Sequence, residues 1–474
     1  MPDIPIILDP GATGPVYRQI ITRLRAAIVT GTLSAGARLP SSRGLASQLG
    51  VARGTVEAAY AVLAGEGVLL SRGSAGTVVS PHLTARAVSR AHGASPVPPA
   101  IDRDAPQHVL PFRMGLPALD AFPRKLWTTL AARAMRRITG DDLAYPDPAG
   151  HRPLREMIAS YLGLSRGITI NPEQVWVTGG FQGALSLIIS AVLRPGDSVW
   201  VEDPGYPPAR DALQAAWARL VPVPVDGDGM RVETAIRQAP KARLALVTPT
   251  HQSPLGVTLS LERRLSLLAW AAQSGAWILE DDYDSEFRYT GHPLPALKSL
   301  DHADRVLFAG SFSKVLFPGL RLGYLVVPDE LAEAFARASR LGSFGLPPLE
   351  QRVAAAFMAD GHFARHLRRM RGLYAVRRRA LAEALTAAFG DAVALELAAG
   401  GMHLLARFPG AADDGTLARR AAAAGLAPTA LSSLAMAHDC GQGLLLSFTN
   451  VPEGDAEALT RQLRTAIEAA GEGG

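Results

Sequence analysis

Between residues 174 and 314 the chain repeats one pattern five times: a short apolar run that ends in polar or small residues. The runs are "QVWVTGG", "SVWVEDPG", "RLALVTPT", "AWILEDDY" and "RVLFAGSFSK". Stretches with helical spacing lie between them, among them "ALSLIISAVL" and "LERRLSLLAWAAQSG". Apolar runs of this kind belong to strands buried on both faces. Their alternation with helices fits an α/β domain whose mostly parallel sheet is covered on both sides. Ligand groups in such sheets gather at the carboxyl ends of the strands. The polar endings are therefore where chemistry is expected.

A composition break divides the chain. Residues 81–108, "PHLTARAVSRAHGASPVPPAIDRDAPQH", lack periodic apolar spacing and read as a linker. They separate a segment of residues 1–80 from the α/β part, 109–474. With 474 residues, 48% of them hydrophobic and 19% charged, the chain has room for two or three domains and is not a disordered one. The start "MPDIPIILDPG" lacks the basic residues and long apolar core of a secretory signal. The longest apolar run is too short for a membrane span, so a soluble cytoplasmic protein without a membrane partner is expected. The single cysteine, Cys440, excludes an internal disulfide framework and a cysteine-rich zinc site, and no metal is expected.

The segment 1–80 contains seven arginines, no lysine and four acids, within a chain of net charge +5. That excess is a weak pointer to an anionic partner. "VYRQIITRLRAAIVTG" carries Val16, Ile20, Ile21, Leu24, Ala27 and Ile28 at helical spacing and stops at Gly31. "LPSSRGLASQLG" offers serine caps and a glycine stop at Gly50, and "VARGTVEAAYAVLAGEG" turns Val56, Tyr60 and Leu63 inward. Two short helices joined by a tight turn make a helix-turn-helix, and "VLLSRGSAGTVVS" adds a two-stranded wing. This segment resembles the winged helix-turn-helix of GntR-type bacterial transcription regulators. The resemblance implies a recognition helix beginning near Ala52, with Arg53 and Thr55 facing DNA. It also implies a contact from Arg43 and a close approach of the wing at Gly76. Arginine suits this role because it can bond guanine edges or phosphate in pairs. Glu57 stands where some relatives carry a further arginine.

In the α/β part, five polar endings fit one ligand. The turn "TGGFQGAL" could cradle a phosphate on the backbone N–H groups of Gly180, Phe181 and Gln182. "EDPGY" supplies an aromatic, Tyr206, that could stack on a ring. "EDDYDSEF" supplies acids that could hold a cationic ring nitrogen, with Tyr283 for a phenolate-type oxygen. "SFSKVLFPGLRLGY" supplies an amine, Lys314, and a phosphate contact, Arg321. Together they describe a phosphorylated pyridine aldehyde held by a lysine.

That order is similar to fold-type I pyridoxal-phosphate enzymes of the aspartate aminotransferase group. The resemblance implies pyridoxal 5'-phosphate as cofactor, a smaller C-terminal α+β subdomain, and Lys314 as the lysine bonded to the cofactor. It makes Asp281 the acid that keeps the pyridine nitrogen protonated, so that the ring acts as an electron sink. Tyr283 bonds the ring oxygen and Tyr206 stacks. Ser311, Ser313 and Arg321 complete the phosphate cup. Tyr145 reaches the partner subunit's cofactor, which implies a homodimer. Two departures stand out. The enzymes' asparagine in an N-P-T-G stretch is replaced within "HQSPLG", leaving His251, Gln252 or Ser253 to serve. The arginine that clamps a substrate carboxylate is replaced by Leu445 within "GLLLSFTN", unless Arg210 or Arg407 reaches in.

Joined, the two halves resemble the MocR-type subgroup of GntR regulators. The implied function is a dimeric regulator of promoter DNA that senses pyridoxal phosphate, or an amine or amino-acid effector, through Lys314. An effector that reshapes the large dimer would alter the spacing of the two DNA-reading heads. The alternative is an aminotransferase that carries a DNA-binding head.

Overall fold

A serine cap and a left-handed glycine set the limits of the second helix in the N-terminal unit. The computed structural model describes residues 7–9, 14–73, 76–82, 109–291, 294–342, 345–410 and 412–468. Contacts divide the chain into two compact units, Met1–Pro106 and Gln107–Gly474. Most of the expected linker, residues 83–108, lies outside the described residues.

The first unit holds α1 (Val16–Val29), α2 (Ser42–Leu49) and α3 (Arg53–Gly65), followed by β1 (Leu69–Ser71) and β2 (Thr77–Val79). The Ser41 hydroxyl accepts from Gly44 N at 3.1 Å and starts α2, and Gly50 ends it in the left-handed region. The two strands pair antiparallel, Leu69 opposite Val79. Ile20, Leu24, Leu45, Val56, Leu63 and Val79 are fully buried between these elements. Each such side chain contributes about 1.5–3 kcal/mol relative to exposure. Val16, expected inward, is 39% exposed because it is the first residue of its helix and projects beyond the packed face.

The second unit is built on an eight-stranded sheet. Its strands are β3 (Val175–Thr178), β4 (Ser198–Asp203), β5 (Arg219–Asp226), β6 (Gly229–Met230), β7 (Leu244–Val247), β8 (Trp277–Asp282), β9 (Val306–Ser311) and β10 (Gly323–Val326). The order across the sheet is β3-β10-β9-β8-β7-β4-β5-β6. The ladder from β5 through β4, β7 and β8 to β9 is parallel, while β10 runs antiparallel between β9 and β3. The five sequence runs are β3, β4, β7, β8 and β9, so their polar endings converge on one edge of the sheet. Buried cores lie on both faces, one around Leu185, Ile188 and Phe335, the other around Trp200, Leu267 and Val306.

A smaller antiparallel sheet orders β11 (Ala394–Glu396), β12 (His403–Arg407), β14 (Leu444–Ser447) and β13 (Thr429–Ala430). It meets the large sheet through Asp203 at the end of β4, whose carboxylate accepts from the backbone N–H of Met436, Ala437 and His438. Burial pulls the Asp203 carboxyl upward, but these donors and the His438 ring outweigh it, and the net shift is downward.

Close approach fixes one glycine in β9. A Cβ on Gly310 would lie 2.2 Å from Tyr324 Cζ on β10. Gly310→Ala is expected to destabilise the protein by about 1–3 kcal/mol through overpacking, read as a lower urea midpoint with an unchanged slope.

Candidate functional site

The pleat of β8 sorts its three carboxylates. Glu280 is fully buried and accepts from Leu297 N and Lys298 N, each at 2.8 Å. Asp282, on the same face, takes Arg166 Nε at 2.8 Å. Asp281 points to the other face, where no hydrogen bond or ion pair meets its carboxylate among the described residues, although it is only 9% exposed. Burial and the Asp282 charge push the Asp281 carboxyl well up, while the charge of Lys314 pulls it back. Lys314 lies in the turn after β9, and its Nζ donates to Gly115 O at 2.8 Å. Burial pushes the lysine pKa down, and the charges of Asp281 and Asp284 oppose that shift.

The other expected residues stand around this pair. The helix Gly180–Val192 starts two residues after β3, which puts Gly180, Phe181 and Gln182 in its first turn. Ser311 ends β9, and its hydroxyl accepts from Ser313 N at 3.1 Å. Arg321 has φ 51°, a left-handed conformation that costs a non-glycine residue about 1–3 kcal/mol and gathers at functional sites. The Tyr206 ring stands edge-on to Phe181, with centroids 6.1 Å apart, and feels the charges of Asp281 and Arg321. Phe181, Glu202, Tyr206, Arg210, Ser253 and Asp281 line a common small cavity. Tyr145 is 89% exposed and is not brought to this cavity within one chain.

The two departures take definite places. Gln252 turns away from the site, its Nε2 donating to Pro204 O at 2.9 Å and Ser253 O at 2.8 Å. His251 instead meets Tyr283, Nδ1 to Oη at 2.9 Å, and the Ser253 hydroxyl is hydrogen-bonded to the same phenol. Leu445 is fully buried in an apolar cluster with Leu405 and Leu431. Arg407 is held by Glu396 and by Gln442 O, on the outer strands of the small sheet. Arg210 lines the cavity, with one guanidinium nitrogen fixed to Leu434 O at 2.8 Å. Asp284, two residues beyond Asp282, was not singled out in the sequence; its carboxylate lies 3.1 Å from His251 Nδ1. Its only local signal is the second acid after the tyrosine in "DDYDSEF".

In the first unit α3 begins at Arg53, with Ala52 as its cap. Arg43 and Arg53 are exposed and Thr55 is half-buried. Glu57 holds Arg53 Nε at 2.7 Å and also accepts from Ser42 Oγ at 3.2 Å, so α2 and α3 share one acidic anchor. Gly76 lies in the turn between the wing's two strands, just before β2, where the Arg38 guanidinium packs beside it. Arg38, which the sequence reading passed over, therefore belongs to the same face as the wing.

The description "Bacterial regulatory proteins, gntR family" matches residues 16–79, and "Aminotransferase class I and II" matches residues 119–439. The chain is 39% identical to the probable rhizopine catabolism regulatory protein MocR of Rhizobium meliloti, across 98% of this chain and 96% of that one. It is 33% identical to the pyridoxine biosynthesis transcriptional regulator PdxR of Corynebacterium glutamicum, across 98% and 99%. Among solved structures it is similar to LysN, the alpha-aminoadipate aminotransferase from Thermus thermophilus, complexed with N-(5'-phosphopyridoxyl)-L-leucine. That match has a TM-score of 0.69 at 28% identity and covers 76% of this chain and 92% of that one. A winged helix-turn-helix followed by an aminotransferase-class domain defines a transcription regulator that carries a domain of enzyme fold. The chain belongs to the MocR-type subgroup of GntR-family regulators. Among the described residues no helix is long and apolar enough to cross a membrane.

Burial pushes Glu202, beneath the cavity, up to about 7, although Thr248 and Gln252 donate to its carboxylate. The folded chain then holds a proton that the unfolded chain releases, and this stabilisation is lost as pH rises from the unfolded value toward 7. Thermal melts should show the wild type losing stability relative to Glu202→Gln between pH 5 and pH 8.

Proposed function

We propose that the chain is a homodimeric transcription regulator that binds pyridoxal 5'-phosphate on Lys314 and reads promoter DNA with its winged head. One observation carries the cofactor reading: the buried, unpaired Asp281 carboxylate facing the half-buried Lys314 amine at the carboxyl edge of the sheet. A buried carboxylate is costly without a cationic partner, and a protonated pyridine nitrogen supplies one. Lys314 provides the amine for covalent attachment and Tyr206 a ring for stacking. The first-turn N–H groups of Gly180, Phe181 and Gln182, with Ser311, Ser313 and Arg321, supply donors for a phosphate. When bound, the cofactor offers an aldehyde to amines and an electron-withdrawing ring. Tyr145, with the exposed Leu143 and Met135 near it in sequence, is assigned to the subunit interface and to the partner's cofactor. Arg43, Arg53, Thr55 and Gly76 are assigned to DNA.

Leu445 separates this site from that of an amino-acid transaminase. A leucine packed against Leu405 and Leu431 offers a substrate carboxylate nothing, which leaves Arg210 as the cation lining the cavity. The effector is accordingly the cofactor itself, or an amine or amino acid that engages Lys314 without the usual clamp. Either ligand shifts DNA affinity only by its differential affinity for two states of the protein.

Titrating pyridoxal phosphate into apo-protein on its promoter should change DNA affinity or the footprint, and Lys314→Ala should abolish both that response and the visible absorbance band. An unchanged affinity and footprint would sink the cofactor-sensor version. The intact set around Lys314 supports a second reading, an aminotransferase with a DNA-binding head. That reading requires steady-state product from an amino donor and a keto acid; colour change limited to a single turnover rules it out. For the head, Arg53→Ala should relax preference at its contacted base by about 1–3 kcal/mol. Equal losses on every sequence would assign Arg53 to phosphate instead.

A further inference from the structure

Behind the phenol of Tyr283 lies a pair of buried side chains that the cofactor cup does not use. His251 Nδ1 is 2.9 Å from Tyr283 Oη and 3.1 Å from Asp284 Oδ2. The carboxylate stands off the line of a good hydrogen bond, and neither of its oxygens has a hydrogen-bond partner among the described residues. It therefore acts on the imidazole through charge. A ring-nitrogen lone pair turned toward a carboxylate at that distance would be repelled, so Nδ1 carries the ring proton. That N–H is donated to Tyr283 Oη, which accepts it. The one proton of the phenol then has to point elsewhere, toward the side of the pocket where Ser253, Asp281 and Lys314 stand.

The ring has little freedom to escape this arrangement. Gly401 passes so close that a Cβ there would lie 2.2 Å from His251 Cε1. The His403 ring stands tilted behind it, with centroids 5.7 Å apart; burial and the nearby His251 push it down to about 4, so it stays neutral. The other charged or titratable groups around the phenol are Asp281 and Glu202 on the cavity side, with Lys314 beyond them. On the far side of His251, Arg288 and Asp284 line a second small cavity.

We propose that Asp284 and His251 are positioning residues that fix the direction of the Tyr283 hydroxyl, so that it donates into the cofactor pocket. Asp284 sets the tautomer of His251, His251 occupies the phenol's acceptor site, and Tyr283 is left as a donor. In this arrangement the histidine of "HQSPLG" orients the phenol, while Ser253 also bonds it from the pocket side. The inference rests on pyridoxal phosphate binding at Lys314.

The test is a pH titration of the visible band of the protein reconstituted with pyridoxal phosphate. A hydroxyl donating to the cofactor's ring oxygen stabilises its negative charge and lowers the proton affinity of the nitrogen bonded to Lys314. Tyr283→Phe should therefore raise the midpoint, by about one pH unit or tenfold in proton affinity. Asp284→Asn also removes a negative charge that favours the protonated nitrogen, so its positioning effect is the difference between its shifts with and without the phenol. In the Tyr283→Phe background Asp284→Asn should lower the midpoint through charge alone, and in the wild type it should lower it less or raise it. His251→Leu should raise the midpoint as Tyr283→Phe does, and His251→Asn, whose amide nitrogen can take the place of Nδ1, should restore it. A wild-type midpoint in His251→Leu and an equal Asp284→Asn shift in both backgrounds, with Tyr283→Phe shifted, overturn the positioning role and leave the cofactor reading intact. Absence of any visible band in the wild type removes the cofactor reading and this inference together.

Discussion

The buried ion pair between Arg166 and Asp282 holds β8 in its pleat, and the chemistry at the sheet edge depends on that pleat. Side chains alternate along a strand, so a slip of one residue would turn Asp281 into the helix layer and Asp282 toward Lys314. Arg166, with the two amides that bind Glu280, blocks that slip by giving each of the other carboxylates a partner on the far face. A buried pair of this kind adds little net stability, but breaking it leaves an uncompensated charge, which makes it a strong determinant of register. What remains on the near face is one carboxylate with nothing to bind except what enters the cavity.

Much of this was legible in the sequence, for physical reasons that differ between the parts. The five apolar runs are strands because fully buried parallel strands need continuous apolar stretches, and their polar endings mark the edge because the chain must turn there. The helices of the head were legible because Ser41 and Gly50 are local signals that act within a few residues. The antiparallel insertion of β10 between β9 and β3 was not, because the direction of a strand leaves no mark on its own residues. Contacts between distant segments were equally hidden. Arg166 and Asp282 are far apart in the chain, as are Arg210 and Leu434, so nothing local distinguished Arg210, which lines the cavity, from Arg407, which does not. Asp284 lay in plain view in "DDYDSEF", but its meaning depends on His251, which arrives from the loop after β7.

The two units solve recognition in opposite ways. The head presents arginines on an exposed surface, where Glu57 steadies one of them and where the proposed function has DNA displace water. The aminotransferase-class domain does the reverse: it encloses a lysine and an acid and holds both away from their ordinary ionisation, a cost that the ligand of the proposed function would relieve. The first arrangement depends on salt and tolerates many sequences weakly. The second is set by shape and by a single chemical class.

Asp203 has a consequence for how the ligand side of such a chain can change over time. Its carboxylate grips the segment 436–438 chiefly through main-chain amides, which every residue except proline possesses. The side chains of that segment are consequently free to be exchanged without loosening its hold on the strand end. A gene lineage can thus exchange the side chains of this segment while the architecture that keeps it in place is inherited unaltered.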